Sequence, residues 1–547
     1  MKIALAQLNY HIGNFEQNNQ KIIAAILKAK SEGADLIVFA ELAIGGYPAK
    51  DLLRNASFLK KCTESIQLIA SQCKDIACII GAPIVNQEGE GKPLYNAAVL
   101  LENGQVSQTV YKSLLPDYDV FDEYRYFQPS PRINCIKFQS KTIALTICED
   151  LWDDDGPNSY VGDLMQNLSL EKPDLIINIA ASPFSYAHFQ NRRNVLSRNV
   201  IKGNAPLIYV NQIGAHTDII FDGRSLAFNK KADVILELNS FQEDLQYVNF
   251  ENNDLTNEQG TVEPTEFSEI NLIHDALILG LKDYFNKSGF KKAVLGLSGG
   301  LDSALVAALA AQAIGAENVL CILMPSIYSS DHSIKDALDL VKNIGCEHRV
   351  IPIKDIARSF EDSLSDIFMN LPQDTTEENI QARSRGTLLM AISNKFGHIV
   401  LNTSNKSEAA VGYGTLYGDM AGSLSVIGDV YKTQAFQLAK YINSEREIIP
   451  INTIVKPPSA ELRPDQKDSD SLPDYALLDA ILFQFIENEK SFEDIIHLGF
   501  DEAVVSRVSK LLNNAEFKRY QAPPILRVSA KAFGCGRVMP LVMKYPF

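Results

Sequence analysis

The sequence lacks three features that would each indicate a particular class of protein. Basic residues are not in excess: 51 Lys and Arg stand against 67 Asp and Glu, for a formal net charge of −16. This balance argues against a sequence-independent grip on nucleic acid. The eight cysteines show no paired C-x-x-C spacing, so neither a zinc site nor a disulfide framework is expected. No apolar run is long enough to span a bilayer, and we expect no membrane partner.

A length of 547 residues predicts more than one domain. Residues 1–245 alternate β-rich runs with helical segments, and 269–547 resume that alternation after a polar, acidic stretch at 246–268 that is typical of a linker. The dipeptides at 103–104 (Asn-Gly) and 222–223 (Asp-Gly) predict hairpin turns. The chain starts with a strand-like run instead of a signal peptide, so we expect a cytoplasmic protein.

The most informative stretch is the string SGGLDS at residues 298–303. It follows an apolar run and precedes a segment rich in strong helix formers. This order predicts a strand, a glycine turn and a helix whose first N–H groups face an anion. The Lys of a Walker A loop is missing, so transfer of a γ-phosphoryl group is not expected. A glycine turn before a buried helix is the alternative interpretation.

The same string resembles the pyrophosphate loop of the ATP pyrophosphatases, which cleave ATP to AMP and pyrophosphate while adenylating an acceptor. The resemblance implies an α/β domain with a doubly wound parallel sheet and with ATP at the carboxyl ends of its strands. It assigns ATP binding to the loop and the strand end before it: Gly296, Leu297, Ser298, Gly299, Gly300, Leu301, Asp302 and Ser303.

Three residues in the first half of the chain carry catalytic chemistry. Glu41, Lys112 and Cys148 each directly follow a strand-like run. Strand ends hold a side chain towards a pocket on a fixed backbone. Taken singly, however, the cysteine is equally explained as a buried structural thiol, and the two charged residues as solvated charges.

The strings around these residues resemble the motifs of the nitrilase superfamily. They are FAEL at 39–42, YKSLLP at 111–116 and CEDLW at 148–152. The resemblance implies an N-terminal α-β-β-α sandwich with a glutamate-lysine-cysteine triad, similar to the branch that hydrolyses glutamine within NAD synthetases. The cysteine would attack the carboxamide carbon, the glutamate would transfer protons and the lysine would stabilise the oxyanion. Glu123 would orient the lysine or form an ordinary ion pair with it.

The resemblance also implies a binding site for glutamine. Tyr118 and Ser182 would bind its α-amino and carboxylate ends. The family usually has Lys or Arg six residues after that serine, where this sequence has His188. The glutamine carboxylate is therefore assigned either to His188 or to Arg192 or Arg193.

The second half resembles the NAD synthetases over residues 269–547, well beyond the glycine loop. The strings EENIQAR at 377–383, NTSNKSE at 402–408 and DVYK at 429–432 carry the resemblance. A polar segment at 461–473 predicts a mobile loop over the substrate. The resemblance implies ATP contacts at Thr403, Lys432 and Ser459, deamido-NAD⁺ contacts at Asn379, Glu408 and Lys518, and Mg²⁺ ligands at Asp302 and Glu408.

Together these resemblances imply a glutamine-dependent synthetase that adenylates deamido-NAD⁺ with ATP and Mg²⁺ and amidates it with ammonia delivered along a buried path. The family forms oligomers around a dimer of synthetase domains, and apolar segments near 269–285 and 432–443 fit such a homo-oligomer. Two alternatives stay open at this point. One is a GMP-synthetase-like or tRNA-modifying enzyme, although the acidic balance counts against tRNA. The other is a nucleotide sensor without catalysis.

Overall fold

A computed structural model describes residues 1–130, 135–152, 160, 163–258, 260–262, 265, 267–369, 371–464 and 466–544. The chain divides into two compact units, Met1–Phe267 and Ser268–Phe547. Within the described part of the chain, no helix has the length and apolar character needed to cross a membrane.

The first unit contains two large β-sheets, the two-stranded sheet β10-β11 and four α-helices in its described part. Its strands are β1 (Lys2–Gln7), β2 (Leu36–Val38), β3 (Ala77–Val85), β4 (Leu94–Glu102), β5 (Gln105–Tyr111), β6 (Cys135–Phe138), β7 (Lys141–Ile147), β8 (Leu175–Ala180), β9 (Leu207–Asn211), β10 (Ile213–His216), β11 (Ile219–Asp222), β12 (Leu226–Phe228), β13 (Val234–Glu237), β14 (Asp244–Glu251) and β15 (Asp254–Thr256). Its α-helices are α1 (Phe15–Ser31), α2 (Ala56–Gln72), α3 (Leu164–Leu170) and α4 (His188–Gly203).

The two large sheets of this unit pack face to face with helices outside them. One has the strand order β15-β14-β1-β2-β3-β4-β5 and the other β13-β12-β9-β8-β7-β6. Alternation along β1 shows the layering, because Ile3 and Leu5 join the core between the sheets whereas Ala4 and Ala6 join the core beneath α1 and α2. The predicted α-β-β-α sandwich is confirmed.

Two predictions for this unit are wrong in part. The first part of the predicted linker at 246–268 belongs to the sheet, since β14 pairs antiparallel with β1 and buries Val248 and Phe250. Polar neighbours on this edge of the sheet masked that alternation in the sequence. The turn at 103–104 joins β4 to β5 as predicted. The predicted turn at 222–223 does not join two paired strands, because Asp222 is the last residue of β11. The turn between β10 and β11 lies instead around Thr217, which has a φ of +60°.

The second unit contains a five-stranded sheet surrounded by helices. Its strands are β16 (Ala293–Gly296), β17 (Val319–Leu323), β18 (Glu347–Val350), β19 (Ile399–Asn402) and β20 (Leu424–Ser425). Its α-helices are α5 (Glu269–Ser288), α6 (Leu301–Ile314), α7 (Asp331–Ile344), α8 (Lys354–Phe368), α9 (Thr375–Phe396), α10 (Lys406–Val411), α11 (Lys432–Ile442), α12 (Ile451–Val455), α13 (Tyr475–Ile486), α14 (Phe492–His497), α15 (Glu502–Asn514) and α16 (Glu516–Arg519).

The sheet of the second unit is parallel throughout, with the strand order β18-β17-β16-β19-β20. The chain builds outwards from β16 on one side and then crosses to β19 on the other. This reversal places a switch point at the carboxyl ends of β16 and β19, where doubly wound sheets bind ligands. The predicted doubly wound fold is confirmed, and the loops after β16 and β19 carry the SGGLDS and NTSNKSE strings.

The apolar helical segments near 269–285 and 432–443 do not form a free face of this unit. Leu272, Ile273 and Leu277 of α5 are buried, as are Leu438 and Ala439 of α11. The two helices contact each other and both contact α6. These segments therefore give no support to the predicted dimer.

Candidate active sites

Glu41 lies in the turn after β2 and is fully buried. Its Oε1 accepts hydrogen bonds from Lys112 Nζ and Asn96 Nδ2, each at 2.7 Å, and its Oε2 accepts one from the N–H of Ala181 at 3.0 Å. Gly81 on β3 permits this position, because a Cβ there would lie 2.6 Å from Glu41 Cα. Contacts from several elements therefore hold the carboxylate.

A second buried carboxylate, Glu123, shares the ammonium group of Lys112. Lys112 Nζ lies 2.9 Å from both Glu123 oxygens, and Tyr47 Oη donates to Glu123 Oε1 at 3.0 Å. Burial raises the pKa of Glu123 to about 7, although the Lys112 charge opposes the rise. Burial alone would lower the pKa of Lys112, but Glu123 and Glu41 outweigh it and the pKa is raised. Glu123 thus forms a buried ion pair with Lys112, which is compatible with the predicted orienting role and differs from an exposed pair in a loop.

Cys148 begins a 3₁₀ turn, Cys148–Leu151, where β7 ends. It is buried and has a φ of +44°, in the left-handed region that residues other than glycine seldom adopt. The turn is held by Asp150, whose carboxylate accepts hydrogen bonds from the backbone N–H groups of Ile147 at 2.9 Å, Ser113 at 3.0 Å and Leu114 at 2.9 Å. Asp150 thereby ties the cysteine turn to the segment that follows Lys112.

The thiol of Cys148 lies in the electrostatic field of the two charged residues. Burial raises its pKa, the Glu41 carboxylate raises it further, and the Lys112 charge opposes them. The structure therefore brings the three predicted residues of the triad together, with Glu41 and Lys112 acting on the thiol in opposite directions.

Tyr118 lies beside Glu149, the residue next to the cysteine. Tyr118 Oη and Tyr160 Oη both donate to Glu149 Oε1 at 2.9 Å. Glu149 is buried, and burial raises its pKa. The sequence analysis missed Glu149 as a separate residue, because only the fold shows that it meets two tyrosine hydroxyls.

Ser182 and His188 lie on the segment that leads from β8 into α4. Ser182 is buried, and its backbone N–H donates to Asn211 Oδ1 at 2.9 Å. His188 is the first residue of α4, and its ring stacks on Trp152 with centroids 5.0 Å apart and planes 23° apart. Trp152 directly follows the cysteine turn. The stacking therefore places the His188 ring near that turn.

Arg192, one alternative holder of the glutamine carboxylate, already has a carboxylate partner. Its Nη1 and Nη2 lie 3.1 and 3.0 Å from the two oxygens of Asp222, and both side chains are buried. Releasing Arg192 would leave the Asp222 charge buried without its partner. The structure therefore disfavours Arg192 for this role, whereas Arg193 is half-buried.

A cavity of about 830 Å³ opens at the carboxyl ends of the strands in the five-stranded sheet of the second unit. The SGGLDS loop lines it and is held by its own hydroxyls: Ser303 Oγ accepts the N–H of Ser298 at 3.2 Å, and Ser298 Oγ accepts the N–H of Gly300 at 3.1 Å. Gly299 has a φ of +82°, and a Cβ there would lie 2.1 Å from the carbonyl oxygen of Ser333. Only glycine fits this turn, so the predicted structural role of the string is confirmed.

Three charged side chains meet on the wall of this cavity. Lys432 Nζ lies 2.5 Å from Asp302 Oδ2 and 3.5 Å from Glu408 Oε1. Burial raises the pKa of Glu408 to about 8, and the nearby Asp302 charge adds to the rise. Burial alone would lower the pKa of Lys432, but the two carboxylates raise it overall. The lysine is thus held as a cation between two carboxylates.

The other predicted residues of the second unit fall into two groups. Thr403 and Ser459 line the same cavity. Asn379 and Lys518 instead hold the segment 412–415: Asn379 Oδ1 accepts the Thr415 hydroxyl at 2.7 Å, and Lys518 Nζ donates to carbonyl oxygens of that segment at 2.8 and 2.6 Å. The structure brings these two residues to one segment.

Two further residues on the cavity wall were missed by the sequence analysis. Asp468 accepts hydrogen bonds from Tyr413 Oη at 3.1 Å and Tyr475 Oη at 2.9 Å. Arg385 donates from Nε to the carbonyl oxygen of Met324 at 3.1 Å, and burial lowers its pKa to about 10. Asp468 lies in the segment 461–473, which was predicted to be a mobile loop because it is polar. That prediction gave no sign that one of its carboxylates is buried.

The chain matches two family models, one for each unit. The model described as carbon-nitrogen hydrolase matches residues 2–257, and the model described as NAD synthase matches residues 273–522. The second match favours NAD synthesis over the alternatives that the glycine loop left open.

Proteins similar over the full length carry one name. The chain is 46% identical to the glutamine-dependent NAD(+) synthetase of Synechocystis sp., covering 99% of each chain, and 42% identical to that of Acinetobacter baylyi, covering 99% of this chain and 98% of the relative. The chain is also similar to a solved structure, the glutamine-dependent NAD+ synthetase from Acinetobacter baumannii in complex with adenosine diphosphate. The sequence identity is 39% and the TM-score is 0.78, and the match covers 99% of this chain and 98% of that one. The chain therefore belongs to the glutamine-dependent NAD(+) synthetase family.

Proposed function

We propose that the first unit releases ammonia from glutamine with Cys148 as nucleophile, Glu41 as proton-transferring base and Lys112 as the cation that stabilises the oxyanion. The observation that carries this proposal is the joint burial of these three groups, with Lys112 Nζ 2.7 Å from Glu41 Oε1. Burying a lysine and two carboxylates is unfavourable unless they form a network, and structural packing alone would not require a thiol there.

Because the pKa of the Cys148 thiol is raised, we propose that the thiol is deprotonated as it attacks glutamine and not beforehand. The neutral thiol of Cys148 loses its proton to Glu41 as the bond between sulfur and the carboxamide carbon forms. The oxyanion is stabilised by Lys112, which its two carboxylate neighbours keep protonated. When the carbon–nitrogen bond breaks, the proton on Glu41 passes to the leaving ammonia. Glu41 then takes a proton from the water that attacks the thioester, and returns it to the sulfur as glutamate leaves.

We propose that glutamine is bound by Tyr118, Ser182 and His188. The hydroxyl pair on Glu149 supports the assignment of the α-ammonium end to Tyr118, because that end is positive and Glu149 is a buried carboxylate. The ion pair between Arg192 and Asp222 leaves His188 and Arg193 as the candidates for the glutamine carboxylate.

In the second unit we propose that ATP occupies the 830 Å³ cavity, with its phosphates on residues 297–303 and its charge met by Lys432. A carboxylate oxygen of deamido-NAD⁺ attacks the α-phosphorus, an oxygen–phosphorus bond forms, and pyrophosphate leaves. Ammonia then attacks the carboxyl carbon and loses a proton, and AMP leaves with the bridging oxygen. Thr403 and Ser459 on the cavity wall are assigned to ATP, and Asn379, Glu408 and Lys518 to deamido-NAD⁺.

Mg²⁺ fits the donor set of this cavity. Asp302 and Glu408 supply two carboxylates that both reach Lys432 Nζ, and the described residues offer no group of three or more His, Cys, Asp and Glu side chains able to hold a metal. Mg²⁺ is usually held by one or two carboxylates together with substrate phosphates, so Asp302 and Glu408 would hold it once ATP is bound. When bound, Mg²⁺ neutralises charge on the phosphate oxygens.

We also propose a homo-oligomer built on a dimer of the synthetase domain. Exposed apolar side chains around α8 and the end of α9 support this proposal, with a second copy of the chain covering them. They are Phe360, Ile367, Met369, Leu371 and Phe396. Sedimentation of the wild type and of a Phe360→Glu, Ile367→Glu variant tests it, since loss of the dimer in the variant is expected.

We retain three further assignments as proposals: a glutaminase domain that comprises the first unit, whose sheet extends beyond residue 245, a synthetase domain over 269–547, and a cytoplasmic location. Ammonia travels as the neutral molecule, because the ammonium ion that predominates near neutral pH is not a nucleophile. A path that excludes water would keep it from being protonated.

An assay of AMP release tests the proposed division of labour. The chain with ATP and Mg²⁺ should release AMP when given glutamine and deamido-NAD⁺, and not when deamido-NAD⁺ is replaced by XMP or tRNA. Cys148→Ala should lose NAD⁺ formation from glutamine and keep it from added ammonium salts, because the thiol generates ammonia but does not touch the adenylate. Equal loss of both activities in a folded Cys148→Ala protein would contradict the proposal.

A further inference from the structure

Asn96 on β4 contacts both carboxylates that hold the Lys112 ammonium group. Its side-chain Nδ2 lies 2.7 Å from Glu41 Oε1 and 3.2 Å from Glu123 Oε2. Its backbone carbonyl oxygen accepts the backbone N–H of Lys112 at 2.8 Å. The side chain is buried. The side-chain amide of Asn96 therefore bridges two carboxylates, while its backbone carbonyl oxygen holds the backbone of the lysine between them.

The charges around this amide explain why a neutral donor is needed. Glu41 and Glu123 share the single cation of Lys112, so the group carries one excess negative charge in the interior. Two carboxylates in such a setting favour the uptake of a proton by one of them. Each N–H of the amide can donate to one carboxylate, which stabilises both in the ionised state. Asparagine does not titrate, so it adds no further acid to the cluster.

The orientation of the amide follows from the same two contacts. If the amide were turned over, its oxygen would face two carboxylate oxygens and no donor. The NH₂ group must therefore point to the carboxylates.

We propose that Asn96 is a positioning residue for glutamine hydrolysis, which keeps the Glu41 carboxylate oriented so that it can accept the proton of the Cys148 thiol. This inference rests on the catalytic roles proposed above. The titratable and charged groups that face Glu41 include the Glu123 and Glu149 carboxylates, the Lys112 ammonium, the Cys148 thiol and the Tyr47 hydroxyl, which donates to Glu123.

The role predicts a specific kinetic signature in Asn96→Leu, which keeps the approximate volume, and in Asn96→Ser, which keeps one donor. The kcat for glutamine hydrolysis should fall by about ten- to hundredfold in Asn96→Leu, the size expected for losing hydrogen bonds to charged groups, with a smaller fall in Asn96→Ser. The KM for glutamine should change little, because Asn96 contacts the catalytic charges and not the glutamine-binding residues. The acidic limb of the pH–rate profile should move to higher pH, since the hydrogen bond from Asn96 is one of the interactions that lower the pKa of Glu123, the carboxylate that holds Lys112.

Asn199→Ala is a matched control. Asn199 is another buried asparagine of the same unit, but its Nδ2 donates only to carbonyl oxygens of Leu151 and Val195. Its loss should lower stability without moving the pH–rate profile. NAD⁺ formation from ammonium salts should stay near the wild-type rate in all the variants.

The outcomes separate this proposal from the one it rests on. Wild-type kcat and an unmoved acidic limb in the Asn96 variants, beside an inactive Cys148→Ala, would overturn the positioning role alone. Glutamine hydrolysis retained by Cys148→Ala would overturn the catalytic assignment, and the role of Asn96 with it. If Asn96→Leu does not fold, the pH–rate profile of Asn96→Ser decides.

Discussion

Replacing Gly81 with alanine should abolish efficient use of glutamine while sparing synthesis from ammonia. The new Cβ would lie 2.2 Å from the backbone nitrogen of Leu42 and 2.6 Å from the carbonyl carbon of Glu41. These obstacles are backbone atoms, so no rotation of a side chain can relieve the overlap. The strand and the turn that carries Glu41 must therefore separate by about 1 Å to restore ordinary contact distances.

A displacement of this size should have a large effect on the catalytic rate and a moderate effect on the free energy of unfolding. A misplacement of about 1 Å can lower a rate by about a hundredfold, because the base no longer lies within reach of the proton that it transfers. Overpacking of a buried site costs about 1–3 kcal/mol, which leaves most domains folded. We therefore expect kcat for glutamine hydrolysis to fall about a hundredfold at a modestly lowered Tm.

The assay compares NAD⁺ formation from glutamine with NAD⁺ formation from ammonium salts in the same preparation. Gly203→Ala is the control, since its Cβ would meet only the ends of the flexible side chains Met165 and Ile176, at 2.6 and 2.8 Å. It should lower Tm without lowering glutamine hydrolysis. Wild-type glutamine hydrolysis in Gly81→Ala would refute the reasoning, because the carboxylate would then not depend on its backbone position.

The other predictions concern the two sites separately. Asp302→Asn should remove NAD⁺ formation from either nitrogen source, because an anionic ligand for Mg²⁺ and the partner of Lys432 are both lost; near-wild-type turnover with ammonium salts would exclude Asp302 as a metal ligand. Glutamine hydrolysis should rise with pH through about 7, since burial raises the pKa of Glu123 to about 7 and the carboxylate must be ionised to hold Lys112; a flat profile there contradicts this role. If protonated His188 pairs with the glutamine carboxylate, KM for glutamine should rise with pH across neutrality and the slope should vanish in His188→Lys. An unchanged KM in His188→Ala would leave the ring with only its stacking on Trp152.

Elements with a strong local pattern could be predicted from the sequence. The buried strands β7, β8 and β16 are mostly apolar, and the turn after β16 contains two consecutive glycines between a strand-like and a helix-like segment. The strand β14 could not be predicted in the same way. It lies near a sheet edge, and only Val248 and Phe250 are buried among polar residues, so its pattern resembles that of a linker.

The same limit applies to the sites. Glu41, Lys112 and Cys148 could be found because each is embedded in a recognisable string at a strand end. Asn96 and Glu149 could not be distinguished from their neighbours, because their importance comes from contacts that only the folded chain creates. Asn96 reaches Glu41, 55 residues away, because the pairing of β3 with β4 brings them together.

The two sites contain the same set of charges, one lysine between two carboxylates, but differ in solvent access. In the first unit the side chains of Lys112 and Glu41 are 0% exposed, so the charges are fixed and the lysine stays available for an oxyanion that forms beside it. In the second unit Asp302 and Glu408 remain 17% and 16% exposed towards a cavity. There Lys432 can exchange a carboxylate for phosphate oxygens, and the carboxylate it releases becomes available to a cation. We therefore propose that burial makes the first cluster a rigid proton-transfer site, and that partial exposure allows the ion pairs of the second cluster to be exchanged when a polyphosphate binds.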